Sequence, residues 1–404
     1  MKAVILNVGN EVLEGKVVNT NSSFLAIELG KLGIKTIKTI VVGDDEEMLK
    51  SEIENFKQSD YELLITTGGL GPTHDDFTKE VICKCFNKEL VLREEAKQDM
   101  ERYFKGSYAE CNLKQAYFPK DAILLHNELG TADGAIIEAD GKSVIILVGP
   151  PMELKPMFRK GVIPYLEKDK DDLPWVAEYI VMGIGESGAE ELLREFFEEN
   201  PKVDFAPYAS LGRIRYQLSA KHEYADEFKY ACRWFENIMD EYIVTSNNEQ
   251  IEELLVKELR DRDLTIATAE SCTGGMIAST LVNVDGASAV LKEAHVTYSN
   301  ESKIKYLNVD PESIEKYGVV SEEVVIEMAK GLRKLSKSDI NISVSGIAGP
   351  TGGTKDKPVG LVWYAIDING EVFASFKVFK GNREQVRIRA TRYILYKLFR
   401  LLKD

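Results

Sequence analysis

The stretch from Leu264 to Ala278, LTIATAESCTGGMIA, decides most of what the sequence indicates about fold and chemistry. LTIATA predicts a short buried strand, and GGMIA predicts a tight turn that opens a helix. The polar residues ESCT lie between them, beside the N–H groups of a helix start that can hold an anion or a developing oxyanion. The glycines let a ligand approach the backbone closely. The stretch also fits an ordinary strand-turn-helix joint with polar caps.

Two further polar joints follow in the same part of the chain. HVTYSNESK, from His295 to Lys303, brings an imidazole, a phenol, an amide and an ammonium group into nine residues. SVSGIAGPTGG, from Ser343 to Gly353, predicts a strand that runs into a second glycine-rich loop. Three such joints predict a single pocket at the strand ends of an α/β fold.

Several motifs of this region occur in the order AESCTGG, VTYSNESK, VSGIAGPTGG and KPVGLVW. In that order they resemble the C-terminal domain of the CinA family, the nicotinamide mononucleotide (NMN) deamidases. The resemblance covers residues 249–404. It implies that this domain hydrolyses the carboxamide of NMN to give nicotinate mononucleotide and ammonia, without a cofactor.

The sequence offers few residues for the catalytic step. A Ser-His-Asp triad would need a histidine, and this domain has only His295. A metal-dependent deamidase would need several His, Cys or Asp ligands, which are not evident. A Ser/Lys pair needs only a hydroxyl and a desolvated lysine. The family motifs imply three catalytic residues: Ser271 as nucleophile, Lys303 as base and Tyr298 to orient the amide. Cys272 is the rival nucleophile.

The remaining residues of these motifs are expected to bind substrate. The final helix, predicted over 384–403, carries arginines on one face, which is either solvated or binds a substrate phosphate. The expected substrate-binding residues of the domain are Glu270, Thr273, Gly274, Gly275, Asn300, Ser345, Gly346, Gly349, Arg383 and Arg387.

Residues 1–168 alternate between strand and helix patterns. The expected elements are strands over 2–8, 36–42 and 61–67 and helices over 21–32 and 45–56. This alternation predicts an α/β fold, a mostly parallel sheet with helices on both faces. Polar clusters follow the strands at Gly9-Asn10-Glu11, at Gly43-Asp44-Asp45 and in TTGGLGPTHDDFT, from Thr66 to Thr78.

The last cluster combines a glycine loop with two adjacent carboxylates near a predicted helix start. Such carboxylates are often only helix caps. A glycine loop can also bind phosphate while carboxylates hold a hard divalent cation. We therefore expect phosphate binding at Gly68, Gly69, Gly71 and Thr73, and metal binding at Asp44, Asp45, Asp75 and Asp76.

The order GNEVLEG, VVGDD, TTGGLGPTHDD, GTADG and PPMEL resembles the MoaB/MogA-like N-terminal domain of CinA proteins. The resemblance implies a molybdopterin-binding fold and hydrolysis of ADP-ribose to AMP and ribose 5-phosphate with a divalent ion of the Mg, Mn or Co type. The sequence departs from the family at Asn10, where many relatives carry Asp, at Asp133, which replaces the proline of GTAPG, and at residues 148–151. The first departure keeps a non-catalytic pterin- or nucleotide-binding module as the alternative.

A charged stretch, KDKDD at 168–172, predicts a domain boundary. Residues 178–244 then give the order strand, helix, strand, strand, helix, strand, which resembles the small α+β KH-like connector of CinA proteins. RNA binding is disfavoured because Glu186 lies inside its only GxxG string, GESG at 185–188. We expect a spacer or dimer element, and domains over 1–168, 174–246 and 249–404.

Composition limits the remaining classes of function. The 404 residues carry a net charge of −15, which opposes non-specific binding to nucleic acid or anionic membrane. We expect no targeting peptide and no membrane span, and the five cysteines suggest a reduced cytoplasm. The predicted protein is a cytoplasmic homodimer that acts on small nucleotides. An interaction protein for DNA uptake or damage response is the other alternative, although no basic stripe supports it.

Overall fold

The computed structural model describes residues 1–167, 174–247 and 249–403, so the predicted KDKDD boundary lies outside the described residues. The chain divides into two compact units. The first contains residues from Met1 to Val176 with Lys221–Glu223, and the second contains Ala177–Ala220 and the residues from Tyr224 onward. The division of the chain into three domains stays a prediction.

The first unit contains a six-stranded sheet and a two-stranded sheet. The strands are β1 Lys2–Val8, β2 Lys35–Val42, β3 Leu63–Thr67, β4 Leu90–Leu92, β5 Tyr117–Pro119, β6 Ile123–Leu125, β7 Gly134–Ala139 and β8 Lys142–Leu147. The helices are α1 Asn10–Leu13, α2 Thr20–Lys31, α3 Glu46–Gln58, α4 Thr78–Cys85, α5 Glu94–Tyr103, α6 Pro151–Met157 and α7 Ile163–Leu166.

The large sheet has the order β2-β1-β3-β8-β7-β6. Strands β2, β1, β3 and β8 are parallel, and β7 and β6 complete the sheet in antiparallel pairing. Buried aliphatic residues of β1, β3 and β8 form its core, as expected of parallel strands covered on both faces. The predicted α/β fold is confirmed, and the carboxyl ends of the parallel strands meet at one edge.

The second unit begins with a four-stranded sheet of order β10-β11-β9-β12. Its elements are β9 Trp175–Met182, α8 Glu186–Leu192, α9 Arg194–Glu199, β10 Asp204–Ser210, β11 Arg213–Ala220, α10 Ala225–Met239 and β12 Ile243–Thr245. The run SGAEELLREFFEEN at 187–200, whose pattern predicts one helix, is interrupted at Leu193, where a ψ of 4° ends α8. The likeness of this sheet to a KH domain stays a prediction.

The rest of the second unit is built on a five-stranded sheet of order β14-β13-β15-β16-β17. Strands β14, β13 and β15 are parallel, whereas β16 and β17 are antiparallel. The elements are α11 Ile251–Asp261, β13 Ile266–Glu270, α12 Met276–Val282, β14 Leu291–Val296, α13 Asn300–Leu307, α14 Pro311–Tyr317, α15 Glu322–Ser336, β15 Ile340–Gly346, β16 Leu361–Ile368, β17 Glu371–Val378 and α16 Arg383–Lys403.

Helix α16 joins the two sheets of the second unit. The Tyr396 hydroxyl donates a hydrogen bond to the Glu241 carbonyl over 2.9 Å, and Arg392 donates to the Leu211 carbonyl. Arg389 donates to the Lys380 carbonyl. Arg389 and Arg392 therefore stabilise the packing of α16 through backbone carbonyl groups.

Among the described residues, none of the helices is both long enough and apolar enough to cross a lipid bilayer.

Candidate functional sites

A small cavity of about 180 Å³ lies at the carboxyl ends of β13, β14 and β15. The three polar joints identified in the sequence therefore converge at one edge of this sheet, as the parallel pairing requires. The lining residues are Ser271, Cys272, Tyr298, Asn300, Lys303, Val319, Val320, Ser345, Gly346, Ala348 and Arg383.

Ser271 and Lys303 form a buried pair at the base of this cavity. Lys303 Nζ lies 3.2 Å from Ser271 Oγ, although the two residues are 32 positions apart in the chain. The same nitrogen donates hydrogen bonds to the carbonyl oxygens of Thr297, at 2.8 Å, and Tyr298, at 3.3 Å. A neutral amine can donate two protons to those carbonyls and direct its lone pair at the serine hydroxyl. The geometry thus suits proton transfer from Ser271 to Lys303.

Burial favours the neutral form of this lysine. Lys303 is fully buried, and desolvation lowers the pKa of its amine to about 8. Burial acts oppositely on Cys272, where it raises the pKa of the thiol to about 12 and keeps it protonated. His295 does not line the cavity, and its Nε2 lies 2.8 Å from the Glu293 carboxylate. Ser271 and Lys303 are therefore better placed to act as nucleophile and base than Cys272 and His295.

Tyr298 and Arg383 line the cavity that holds the pair, whereas Arg387 does not line it. The Tyr298 side chain is exposed, and its hydroxyl accepts a hydrogen bond of 3.0 Å from Arg383. Arg383 also donates to the Gly349 carbonyl over 2.9 Å, and Arg387 donates to the Thr273 carbonyl over 2.8 Å. Each arginine retains further N–H groups for a ligand. The Tyr298 hydroxyl thus bonds to Arg383, and Tyr298 contacts Lys303 through its backbone carbonyl.

The glycine turns allow close packing of the backbone beside Ser271. Gly274 and Gly275 adopt φ angles of 62° and 89°, a region that favours glycine. At Gly346, an added Cβ would lie 2.9 Å from the Cys272 sulfur and 2.8 Å from Val362. Ser345 is buried and donates to the Val319 carbonyl over 2.7 Å. Ser345 and Gly346 line the cavity, whereas Gly274 and Gly275 do not.

Glu270 has a different environment from the one expected of a substrate ligand. It is fully buried, and its two carboxylate oxygens accept hydrogen bonds from the N–H groups of Ile277, at 3.1 Å, and Ala278, at 2.9 Å. The expectation that the start of α12 leaves these groups open for an oxyanion is therefore wrong. Within the part of the chain that the structure describes, the Thr273 and Gly275 N–H groups have no hydrogen-bond acceptor and remain as donors in the turn.

We predict that Glu270→Ala lowers the free energy of unfolding by about 1–3 kcal/mol, because two buried N–H groups lose their acceptor. The measurement is urea unfolding of the full chain. Glu253→Ala, at the start of α11, is the matched control because its carboxylate accepts only one exposed N–H, at 2.7 Å. Equal losses in the two variants would contradict the structural role of Glu270.

A second, larger cavity of about 560 Å³ adjoins the first, since both are lined by Ala348 and Arg383. Its other lining residues are Pro350, Val359, Gly381, Asn382 and Glu384. Together the cavities reach the volume of a typical small-molecule site, with Arg383 at their junction.

In the first unit, a cavity of about 450 Å³ lies at the carboxyl edge of β1, β3 and β8. Gly68, Gly69 and Gly71 line it as predicted. At Gly68, whose φ is 96°, an added Cβ would lie 2.2 Å from the Val8 carbonyl oxygen, so only glycine fits. Thr73 does not line the cavity, and its hydroxyl instead donates to Asp76 over 2.5 Å.

The predicted metal ligands separate into two groups. Asp44, Asp75 and Asp76 line this cavity, whereas Asp45 caps α3 by accepting from the Met48 N–H over 2.8 Å. Asp44 is held by Asn10, whose N–H donates to its carboxylate over 3.1 Å. The three cavity aspartates supply hard oxygen donors of the kind that a divalent cation prefers. Among the described residues their ligand atoms do not all lie within 4.8 Å of one another, so a cation held by all three would require these side chains to move closer.

Two further carboxylates line this cavity but were absent from the predicted site, Glu11 and Glu153. Both belong to stretches singled out in the sequence, GNEVLEG and PPMEL, so the motifs contained a signal for them. All charged residues of the lining are acidic. Entry of a phosphate group therefore requires a cation to offset the repulsion.

Two protein families match separate parts of the chain. Residues 4–168 match the family described as probable molybdopterin binding domain, and residues 248–402 match the family described as CinA C-terminal domain. A CinA-like protein of Kosmotoga olearia is 45% identical over 406 residues, which cover 98% of this chain and 97% of that protein.

Two solved structures are also similar to part of the chain. One is a competence or damage-inducible protein from Enterobacter asburiae, 35% identical over 38% of this chain and 99% of that chain, with a TM-score of 0.37. The other is the protein CinA from Thermoplasma acidophilum, 34% identical over 42% of this chain and 96% of that chain, with a TM-score of 0.38.

Fold and sequence matches together define a protein with an N-terminal α/β domain of the MoaB/MogA-like, molybdopterin-binding type and a CinA C-terminal domain. The chain belongs to the CinA family, as its identity to a full-length relative shows.

Proposed function

We propose that the C-terminal domain hydrolyses the carboxamide of NMN to nicotinate mononucleotide and ammonia. The single observation that carries this proposal is the buried contact of 3.2 Å between Lys303 Nζ and Ser271 Oγ. The small cavity above the pair suits a planar carboxamide ring, and the larger adjoining cavity suits the ribose phosphate. Arg383, at the junction, provides N–H donors for the phosphate.

The proposed reaction proceeds through an acyl-serine. Neutral Lys303 takes the Ser271 proton as Oγ forms a bond to the carboxamide carbon, and the oxyanion is bound by N–H donors of the Ser271–Gly275 turn. The lysine then protonates the leaving nitrogen, which departs as ammonia when the C–N bond breaks. A water molecule, deprotonated by Lys303, releases the carboxylate and regenerates the serine. Ammonia release from NMN, measured against other nucleotide amides, tests the proposal.

For the N-terminal domain we propose metal-dependent cleavage of ADP-ribose to AMP and ribose 5-phosphate. The glycine backbone at 68–71 lets a diphosphate approach closely, and Asp44, Asp75 and Asp76 would hold the divalent ion. When bound, such an ion supplies charge neutralisation for the diphosphate and activation of water. A pterin- or nucleotide-binding module without turnover is the alternative, and formation of AMP distinguishes the two.

We predict that chelation of divalent ions stops the activity of the N-terminal domain and leaves that of the C-terminal domain unchanged. EDTA should stop AMP formation from ADP-ribose, because acidic residues alone cannot bind a diphosphate, while ammonia release from NMN continues. Asp76→Ala should reproduce the first effect without the second. Asp45→Ala is the matched control, since this side chain caps α3 and does not line the cavity.

Three outcomes would contradict this assignment. Loss of both activities on chelation would remove the metal-free mechanism from the C-terminal domain. If chelation stopped neither activity, the N-terminal domain would not depend on a divalent ion. Equal loss of AMP formation in Asp45→Ala and Asp76→Ala would show that the aspartates lining the cavity are not the specific ligands of the ion.

A further inference from the structure

A cluster of two carboxylates and an imidazole lies in the first unit, outside the lining of the glycine-loop cavity. Asp99 is on α5, His126 follows β6, and Asp133 directly precedes β7. One ligand atom from each lies within 4.8 Å of the others, and among residues 1–167, 174–247 and 249–403 no other set of three such groups does so.

The hydrogen bonds of this cluster are incomplete. His126 Nδ1 lies 2.7 Å from Asp99 Oδ2 and 3.6 Å from Asp133 Oδ1. This nitrogen carries at most one proton, which it can donate to Asp99, and 3.6 Å is too long for a hydrogen bond to Asp133. Two carboxylates thus face one nitrogen that can satisfy only one of them.

Asp133 provides a second and independent observation. Its side chain is 4% exposed, and within the described part of the chain its Oδ2 atom has no hydrogen-bond partner. Its Oδ1 accepts only from the Asn127 N–H, at 2.9 Å. The buried Lys79 side chain donates to the Lys114 carbonyl over 3.0 Å and does not form a hydrogen bond with Asp133 Oδ2. Leaving such an oxygen buried and unpaired is unfavourable, because it has lost its contact with water without gaining a hydrogen bond.

We propose that Asp99, His126 and Asp133 bind a divalent transition-metal ion of the zinc class. An imidazole nitrogen with two carboxylate oxygens is a ligand set that Zn²⁺ accepts and that Mg²⁺ and Ca²⁺ do not favour. Ligand atoms bound at about 2.0–2.1 Å in tetrahedral geometry lie roughly 3.3 Å apart. The 3.6 Å contact already matches this spacing, and the 2.7 Å contact needs only a small movement of the partly exposed Asp99 and His126.

The ion would have a structural consequence for the neighbouring cavity. Residues 130–132, immediately before Asp133, line the glycine-loop cavity. Asn127 organises the same loop by accepting from the Gly130 N–H over 2.9 Å and donating to Glu153 over 2.8 Å. A metal held by Asp99 and Asp133 would fasten this loop to α5 and fix one wall of the cavity.

The test uses the full chain, freed of metal and then titrated with Zn²⁺. Its four histidines give four sets of imidazole signals, so the histidine that binds the ion can be identified. Long-range ¹H–¹⁵N correlation spectra should show a shift of the His126 imidazole signals at one equivalent. Calorimetry should show that His126→Gln and Asp133→Asn each weaken this binding at least about tenfold. Unfolding of the metal-free variants checks that their folds are retained.

His295→Gln is the matched control, since its imidazole lies 2.8 Å from one carboxylate, Glu293, and belongs to no set of three. It should bind Zn²⁺ as the unmodified chain does. Asp76→Ala should retain the His126 shift, which separates this site from the glycine-loop cavity. Zinc binding without a His126 shift, or undiminished affinity in both His126→Gln and Asp133→Asn, would overturn the proposal.

Discussion

Ser271→Ala is expected to reduce ammonia release from NMN by at least about 10³-fold while AMP formation from ADP-ribose continues. The reason is that, among the described residues, Ser271 Oγ is the one hydroxyl oxygen hydrogen-bonded to the Lys303 amine, at 3.2 Å. The substitution removes one hydroxyl group and leaves the two hydrogen bonds from Lys303 to backbone carbonyl oxygens intact. The fold should therefore be retained. Ammonia release and AMP formation are measured on the same preparation.

Cys272→Ala is the control for this experiment, because the thiol lines the same cavity one residue further on. Its buried environment raises the pKa of the thiol to about 12, so little thiolate forms near neutral pH. We expect this variant to keep most of its deamidase activity. If Cys272→Ala were inactive and Ser271→Ala active, the nucleophile would be Cys272.

Local patterns in the sequence predicted the strands and helices well. The buried run KAVILNV was predicted as a strand over 2–8 and forms β1 over the same residues, because an apolar run that stops at a glycine suits a parallel strand. RIRYQLSA forms β11 with alternating burial, as its alternating sequence indicates. The break at Leu193 was not predicted, because the helical spacing of apolar residues continues through this fully buried side chain.

The candidate sites were harder to predict because their geometry depends on residues distant in sequence. Asp44 and Asp45 are adjacent, yet only Asp44 lines a cavity. The cap at Asp45 had a local signal, two glutamates in the first turn of α3. Glu270 had no such signal, since nothing in the sequence shows that its carboxylate turns to the N–H groups seven and eight residues later.

The pairing of Ser271 with Lys303 shows the same limit. The motifs suggested both residues, but the 3.2 Å contact depends on β13 and β14 being parallel neighbours, with α13 starting just beyond β14. Desolvation of Lys303 likewise depends on the surrounding fold. Hydrophobic patterns predict that a sheet forms, whereas the order of its strands decides which polar residues meet.

Lys303→Met is expected to lower deamidation by about 10²–10⁴-fold, the usual contribution of a general base. Methionine fills a similar volume and cannot accept the Ser271 proton. Lys305→Met is the matched control, because this lysine lies on the same helix but is exposed over the Tyr306 ring. It should retain normal activity. Initial rates of ammonia release, with urea unfolding as the test of fold, compare the two variants.

The pH dependence distinguishes a base from a residue that only supports the fold. Burial lowers the pKa of Lys303 to about 8, so the neutral amine increases as pH rises through that value. The rate of deamidation should therefore rise about tenfold per pH unit below pH 8 and level off above it. Lys303→Met should lose this dependence as well as the rate, because no other group takes the serine proton. A variant with reduced rate but the same alkaline limb would mean that another group is the base and that Lys303 only positions Ser271.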